Sequence, residues 1–249
     1  GGRCAIRARD RVPTQMALDP GFHGLWPTPI GVYRLPDAQS INAVLARALQ
    51  AIRLSQSAAR GADPHSPFFA SDDDLMRRLQ IDEGQQLVKF FVESLKHTVT
   101  LANQVAWGPS RRSMRIVLEG LWFQCSRAGA FHDLHTHGNC SWSGVYIVQI
   151  DDTTVRSTHP TYGSTNGITR FVGPSFGHLG GAHVDLGNAY LQPPHVDIEP
   201  IPGQLVVFPA SLPHQALPYD GILDRIIISF NASIHSESGN DQLHAFGAG

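Results

Sequence analysis

Charge is scarce in this chain. Asp, Glu, Lys and Arg together make up 16% of its 249 residues, and the formal net charge is −2. With no basic run and no lysine-rich face, the composition disfavours nucleic acid as a partner. Cysteine is nearly missing: Cys4, Cys125 and Cys140 are odd in number and form no CxxC pair. That speaks against a disulfide framework and a zinc-finger set, and makes a reducing, cytoplasmic compartment the expectation. No apolar run reaches the length of a membrane-spanning helix. Arg3, Arg7, Arg9 and Arg11 open the chain with no apolar stretch behind them, which is not a secretory signal and leaves organelle import open. The chain also lacks GxGxxG, Walker A and GxSxG motifs, the marks of dinucleotide binding, P-loop chemistry and a nucleophile elbow. What it does have is 42% hydrophobic residues, enough to exclude general disorder, and 24 glycines and 17 prolines, which favour a turn-rich β or mixed architecture over a helix bundle. Histidine is the unusual abundance: 13 residues, three of them within His132–His137.

Apolar periodicity divides the chain. Ile41, Val44, Leu45, Ala48, Leu49 and Ile52 recur with helical spacing, and Pro36-Asp37 with Ser40 gives a start signal. A short helix is expected after Ser71, with Asp72, Asp73 and Asp74 at its positive end. A longer one is expected from about Gln85 to Trp107, stopped by Gly108-Pro109. From Met114 the period changes to two. Strands are expected at Met114–Gln124, Ser143–Ile150, Ile168–Val172, His195–Ile198, Gln204–Phe208 and Arg225–Asn231. Short strands without intervening helices indicate a sandwich or barrel and not a parallel α/β sheet. The Gly173–Pro194 stretch is long and glycine-rich, and is the candidate lid.

Residues 131–139 read Phe-His-Asp-Leu-His-Thr-His-Gly-Asn. On a regular strand Asp133, His135 and His137 would share one face, three metal ligands at successive positions, and His132 would point away. Imidazole suits iron, zinc, copper and nickel. A fourth candidate, His214, follows the apolar run Gln204–Phe208 at a proline-bounded end. Eleven residues later Arg225 opens the run Arg-Ile-Ile-Ile-Ser-Phe-Asn, and the turn at Pro218–Gly221 is expected to fold the two runs into neighbouring strands. Arg225, Ser229 and Asn231 would then share one face. Burying an arginine is costly without an anionic partner, and a guanidinium offers a planar fork that matches a carboxylate. HxH, a later histidine and an arginine about ten residues on is the layout of an iron centre with a dicarboxylate cosubstrate.

In Leu25-Trp26-Pro27-Thr28-Pro29-Ile30, Leu121–Gln124, His135-Thr136-His137, Ser143–Tyr146, Leu205–Pro209 with His214, and Arg225 leading to Ser229-Phe230-Asn231, the chain resembles the iron(II)/2-oxoglutarate-dependent oxygenases. The likeness is to the branch whose substrates are unassigned. It implies a mainly β fold with helical support (α+β), a double-stranded β-helix or jelly-roll barrel of the cupin-like kind. It also implies a division into an N-terminal extension 1–24, a helical support region 25–110, a catalytic core 111–235 and a C-terminal tail 236–249.

By the same resemblance the cofactors are Fe(II), 2-oxoglutarate and O2, with His135 as first metal ligand and His214 as last. Arg225 would receive the far carboxylate of 2-oxoglutarate, helped by Tyr146 or Ser229. Gln124 is either a cosubstrate contact or a structural amide, and Tyr146 is either a donor or a core tyrosine. Two departures stand out. Most of the superfamily has Asp or Glu two residues after the first histidine, where this chain has His137, so His137 or Asp133 completes the metal site, or two histidines hold the ion without them. The branch usually has serine two residues after the arginine, where this chain has Ile227. The implied reaction is oxidation, by default hydroxylation, of an amino acid, a peptidyl side chain or a small molecule, and a homo-oligomer stays open. The rivals are a cupin-like three-histidine metalloenzyme without 2-oxoglutarate and a non-catalytic barrel that only binds.

Overall fold

A computed structural model describes residues 20–21, 28–107, 113–173 and 195–237. Ten strands and five helices follow one another in the order β1 (Gly31–Arg34), α1 (Ala38–Arg60), β2 (Phe68–Ala70), α2 (Leu75–Arg78), α3 (Asp82–Ala102), α4 (Gln104–Trp107), β3 (Met114–Ser126), β4 (Ala130–His135), β5 (Trp142–Gln149), α5 (Thr153–Ser157), β6 (Thr169–Val172), β7 (His195–Ile198), β8 (Gln204–Pro209), β9 (His214–Tyr219) and β10 (Arg225–Ser236). Every ladder is antiparallel. One sheet has six strands in the order β1-β8-β5-β10-β3-β2, the other four in the order β4-β9-β6-β7. The jelly roll thus takes the form of two separate sheets, and among the described residues no ladder closes them into a continuous barrel.

The six-stranded sheet is covered on both faces, so its central strands read as near-continuous apolar runs. Alternation sorts the two faces. Tyr146, Leu205, Val207, Ile226, Ile228 and Phe230 pack on Leu45, Leu49, Leu87, Phe91 and Leu95 of α1 and α3. Their neighbours Val145, Ile147, Val206, Phe208 and Ile227 pack with Phe171, Leu212 and Tyr219 to fill the space toward the smaller sheet. The Arg225 register carries the site onto that second face. Gly144 pairs with Phe230 across β5 and β10, and a Cβ there would lie 2.4 Å from the Phe230 ring, so the strands approach this closely only because the residue is glycine.

Helix α1 runs two turns past the expected apolar stripe, because the stripe continues in buried polar residues. Arg53 reaches Asp224 at 3.0 Å and the Ser66 carbonyl at 2.8 Å, and Gly61 ends the helix at φ 62°. Helix α3 ends at Ala102 instead of Trp107, and a separate turn, α4, follows. The six expected strands appear, β10 running on to Ser236, while β1, β2 and β9 lie outside the expected set and β4 entered it only as the strand on which the histidine cluster would alternate. These are short, and β9 contains Pro218, which reads locally as a turn residue. The consequence is a correction. β8 and β10 are not neighbours: β5 lies between them, and the chain crosses to the other sheet as β9 on the way. Asp151 is buried and accepts from the backbone N–H of Ile222 (2.6 Å) and Leu223 and from the Tyr219 hydroxyl (3.0 Å), pinning the turn that leads into Arg225. Most of the Gly173–Pro194 segment, with His178 and His183, lies outside the described residues. So do Gly108-Pro109, Leu25-Trp26-Pro27 and most of the two terminal extensions.

Candidate metal centre and anion pocket

Pairing of β4 with β9 brings two distant histidines together. His135, the last residue of β4, is in register with His214, the first of β9, and their ring centres are 4.3 Å apart. His137 lies just beyond β4, where its N–H donates to the Ala210 carbonyl at 2.9 Å. Its Nε2 is 3.2 Å from Nε2 of His214. One ligand nitrogen from each of the three lies within 4.8 Å of the others. Two nitrogens each about 2.1 Å from one ion, at angles between square and tetrahedral, stand about 3.0–3.4 Å apart, so the His137–His214 spacing is that of adjacent ligands.

Backbone carbonyls orient two of the rings. Nδ1 of His135 lies 2.6 Å from the Asp133 carbonyl and Nδ1 of His214 3.0 Å from the Leu212 carbonyl. Each contact places the ring proton on Nδ1 and leaves Nε2 as a lone pair facing the cavity, as in imidazoles whose other nitrogen donates to a carbonyl while they bind a metal. Burial disfavours the charged form of His137 and His214. It pushes His214 down to about 3 and His137 to about 4, with the neighbouring histidines acting in the same direction. Phe208 and Phe171 flank His214, with ring centres 4.6 and 5.8 Å from its own.

Asp133 does not join this group. The β4–β9 register slips between His132 and His135, so the expected alternation breaks. Asp133 is exposed, whereas His132 faces inward, stacked on His135 at 4.1 Å. Both expectations, Asp133 on the metal face and His132 away from it, are corrected by that slip. The sequence shows no signal for it.

Arg225 lines the same cavity. It is 2% exposed, and among the described residues no carboxylate pairs with it. One guanidinium nitrogen, Nη2, donates to Thr169 Oγ1 at 3.1 Å, and Nε has no partner. Burial lowers it from the ordinary 12.5 to about 10, still a cation at neutral pH. Ser229 and Gln124 line the cavity beside it, on β10 and β3. Trp122 also lines it and stands 5.9 Å from the His137 ring. Tyr146 is on the wrong face of the sheet: its hydroxyl donates to Asn42 Oδ1 at 2.7 Å, buried among Phe90 and Phe91. It is a core tyrosine, and the cosubstrate contact expected of it is corrected. Thr169, absent from the sequence-based candidates, holds the guanidinium through that hydrogen bond.

Residues 120–231 match the family described as "Putative 2OG-Fe(II) oxygenase". The matched segment contains His135, His137, His214 and Arg225. The domain is therefore an oxidoreductase that works with iron and 2-oxoglutarate. No curated protein matches the chain. Among solved structures, HygX from Streptomyces hygroscopicus, crystallised with nickel and 2-oxoglutarate, is 12% identical, with 83% of each chain covered and a TM-score of 0.50. At that identity the likeness shows the shared jelly-roll fold. A Pseudomonas putida prolyl-4-hydroxylase is 15% identical, with 83% of this chain and 93% of that one covered and a TM-score of 0.46. A Trichoplax adhaerens prolyl hydroxylase bound to a peptide fragment is 13% identical, covering 83% and 84%, with a TM-score of 0.47.

The residues present fit both cofactors of the family. Three convergent imidazoles suit a borderline metal ion, and a buried guanidinium with an N–H unpaired among the described residues suits a carboxylate.

Proposed function

We propose that His135, His137 and His214 hold iron(II), that Arg225 receives the far carboxylate of 2-oxoglutarate, and that Ser229 and Gln124 line its path. The domain would couple oxidative decarboxylation of 2-oxoglutarate to oxidation, by default hydroxylation, of a C–H bond in an amino acid, peptidyl or small-molecule substrate. The observation that carries this reading is the buried, carboxylate-free Arg225 sharing a cavity with three converging imidazoles. Charge supports it as well. Three neutral ligands leave the full charge of a divalent ion, Arg225 adds one more positive charge, and a dicarboxylate is the ligand that offsets them.

When bound, iron and 2-oxoglutarate supply the activation of dioxygen, with succinate and carbon dioxide as coproducts. The chain's own share is positional. The carbonyls of Asp133 and Leu212 hold two rings with their lone pairs inward. Phe171 and Phe208 exclude water from one side of His214. Thr169 fixes the fork of Arg225. A three-histidine enzyme without 2-oxoglutarate would leave Arg225 with nothing to bind. The test is anaerobic titration of the metal-loaded protein with 2-oxoglutarate, then admission of oxygen with a panel of amino acids, peptides and small molecules while succinate is measured. Absence of metal-dependent 2-oxoglutarate binding would sink the reading.

A further inference from the structure

The cavity is built in two tiers, and one residue in it has no role so far. Successive strand pairs set the tiers. His135 on β4, His214 on β9 and Phe171 on β6 are in register and form the metal tier. His132 on β4, Ala216 on β9 and Thr169 on β6 form the next row, and Thr169 is the residue bonded to Arg225. His132 therefore stands in the same row as the anion anchor, while its ring is stacked on His135 of the metal tier at 4.1 Å with an interplanar angle of 29°. Ala216 between them has a side chain too small to close the space. No hydrogen bond engages either ring nitrogen of His132 among the described residues, whereas His135 and His214 each have Nδ1 committed to a carbonyl.

The geometry points to His132 as a second donor to 2-oxoglutarate, hydrogen-bonding the five-carbon chain's far carboxylate alongside Arg225. This rests on the functional reading above and adds to it. Two helpers that the family resemblance suggested are missing here: Tyr146 faces the helices, and Ile227 stands where the branch has serine. An anchoring carboxylate has two oxygens with about four lone-pair directions, more than one guanidinium edge satisfies. The slip in β4 that turns His132 inward supplies an N–H in the row where those acceptors would lie.

The experiment uses the full chain loaded with Mn(II), under anaerobic conditions, and calorimetric titration with 2-oxoglutarate and with 2-oxobutyrate, which keeps the metal-chelating end and lacks the far carboxylate. His132→Phe keeps the aromatic stack and removes the N–H, and His132→Gln returns a donor of similar reach. A hydrogen bond to a charged group corresponds to a loss of about tenfold or more in affinity. The expected result is that His132→Phe weakens 2-oxoglutarate by that factor, leaves 2-oxobutyrate and Mn(II) affinity unchanged, and is partly restored by Gln. Equal weakening of both keto acids, or no change in either, overturns the assignment while leaving the oxygenase reading intact. Failure of the wild-type protein to bind 2-oxoglutarate overturns both.

Discussion

Arg225 gives the sharpest test, because its effects on stability and on binding should have opposite signs. Its guanidinium is 2% exposed and, among the described residues, makes one hydrogen bond to a neutral hydroxyl and has no carboxylate beside it. The drop from 12.5 to about 10 means that the folded protein binds this proton less tightly than the unfolded chain does. The sign follows from linkage: the unfavourable contribution is present in full below pH 10 and is relieved only as pH rises toward 12.5. At neutral pH it amounts to about 3 kcal/mol. Arg225→Met keeps the length and removes the charge. The protein without ligand should therefore unfold at equal or higher denaturant concentration, since replacing buried charge by apolar volume is typically neutral or stabilising by about 1–4 kcal/mol. Binding should fail in the same variant. Loss of a buried charge pair costs about 2–5 kcal/mol, or roughly thirtyfold to several thousandfold in 2-oxoglutarate affinity.

Urea unfolding with and without Mn(II) and 2-oxoglutarate reads both quantities. Wild-type protein should gain about 2.7 kcal/mol at a ligand concentration one hundred times its Kd, and the variant only the share due to the metal. If Arg225→Met instead lowered the stability of the ligand-free protein by about 3 kcal/mol, the range for breaking a buried pair, the arginine would be a paired structural group and the case for an anion site would fall.

Removing a metal ligand should separate metal loading from folding: His214→Ala should lower Mn(II) affinity by at least about a hundredfold in equilibrium dialysis while circular dichroism stays native. Tyr146→Phe leaves Asn42 Oδ1 without its donor, so it should cost about 1–3 kcal/mol of stability with no change in 2-oxoglutarate affinity; a large affinity change would return Tyr146 to the cosubstrate pocket. Gly144→Ala places a methyl 2.4 Å from the Phe230 ring, and overpacking of this kind should cost about 1–3 kcal/mol, read as a lower Tm.

Much of this protein was legible along the chain. The stripe from Ile41 to Ile52, the runs at Ser143–Ile150, Gln204–Phe208 and Arg225–Asn231, and the HxH, His and Arg order are local patterns, and local patterns survive in sequence because period and polarity are properties of neighbouring residues. The face that Arg225 and Ser229 share followed from alternation, which the β10–β3 pairing keeps from Arg225 to Asn231 although the β10–β5 register shifts between Ile226 and Ile227. Other features depended on which strands meet. The approach of His214 to His135 comes from the β4–β9 ladder across 79 positions of sequence, and the hydrogen bond from Arg225 to Thr169 from the stacking of two sheets. The slip between His132 and His135 exchanges Asp133 for His132 inside the cavity. A register shift reverses every side chain beyond it, and it is set by the partner strand, so residues 131–137 read alone could not reveal which of them face the metal. Composition and order determined that this chain carries imidazoles and a guanidinium suited to iron and a dicarboxylate. Tertiary structure decided which of those groups converge, because convergence is a matter of strand pairing between segments far apart in sequence.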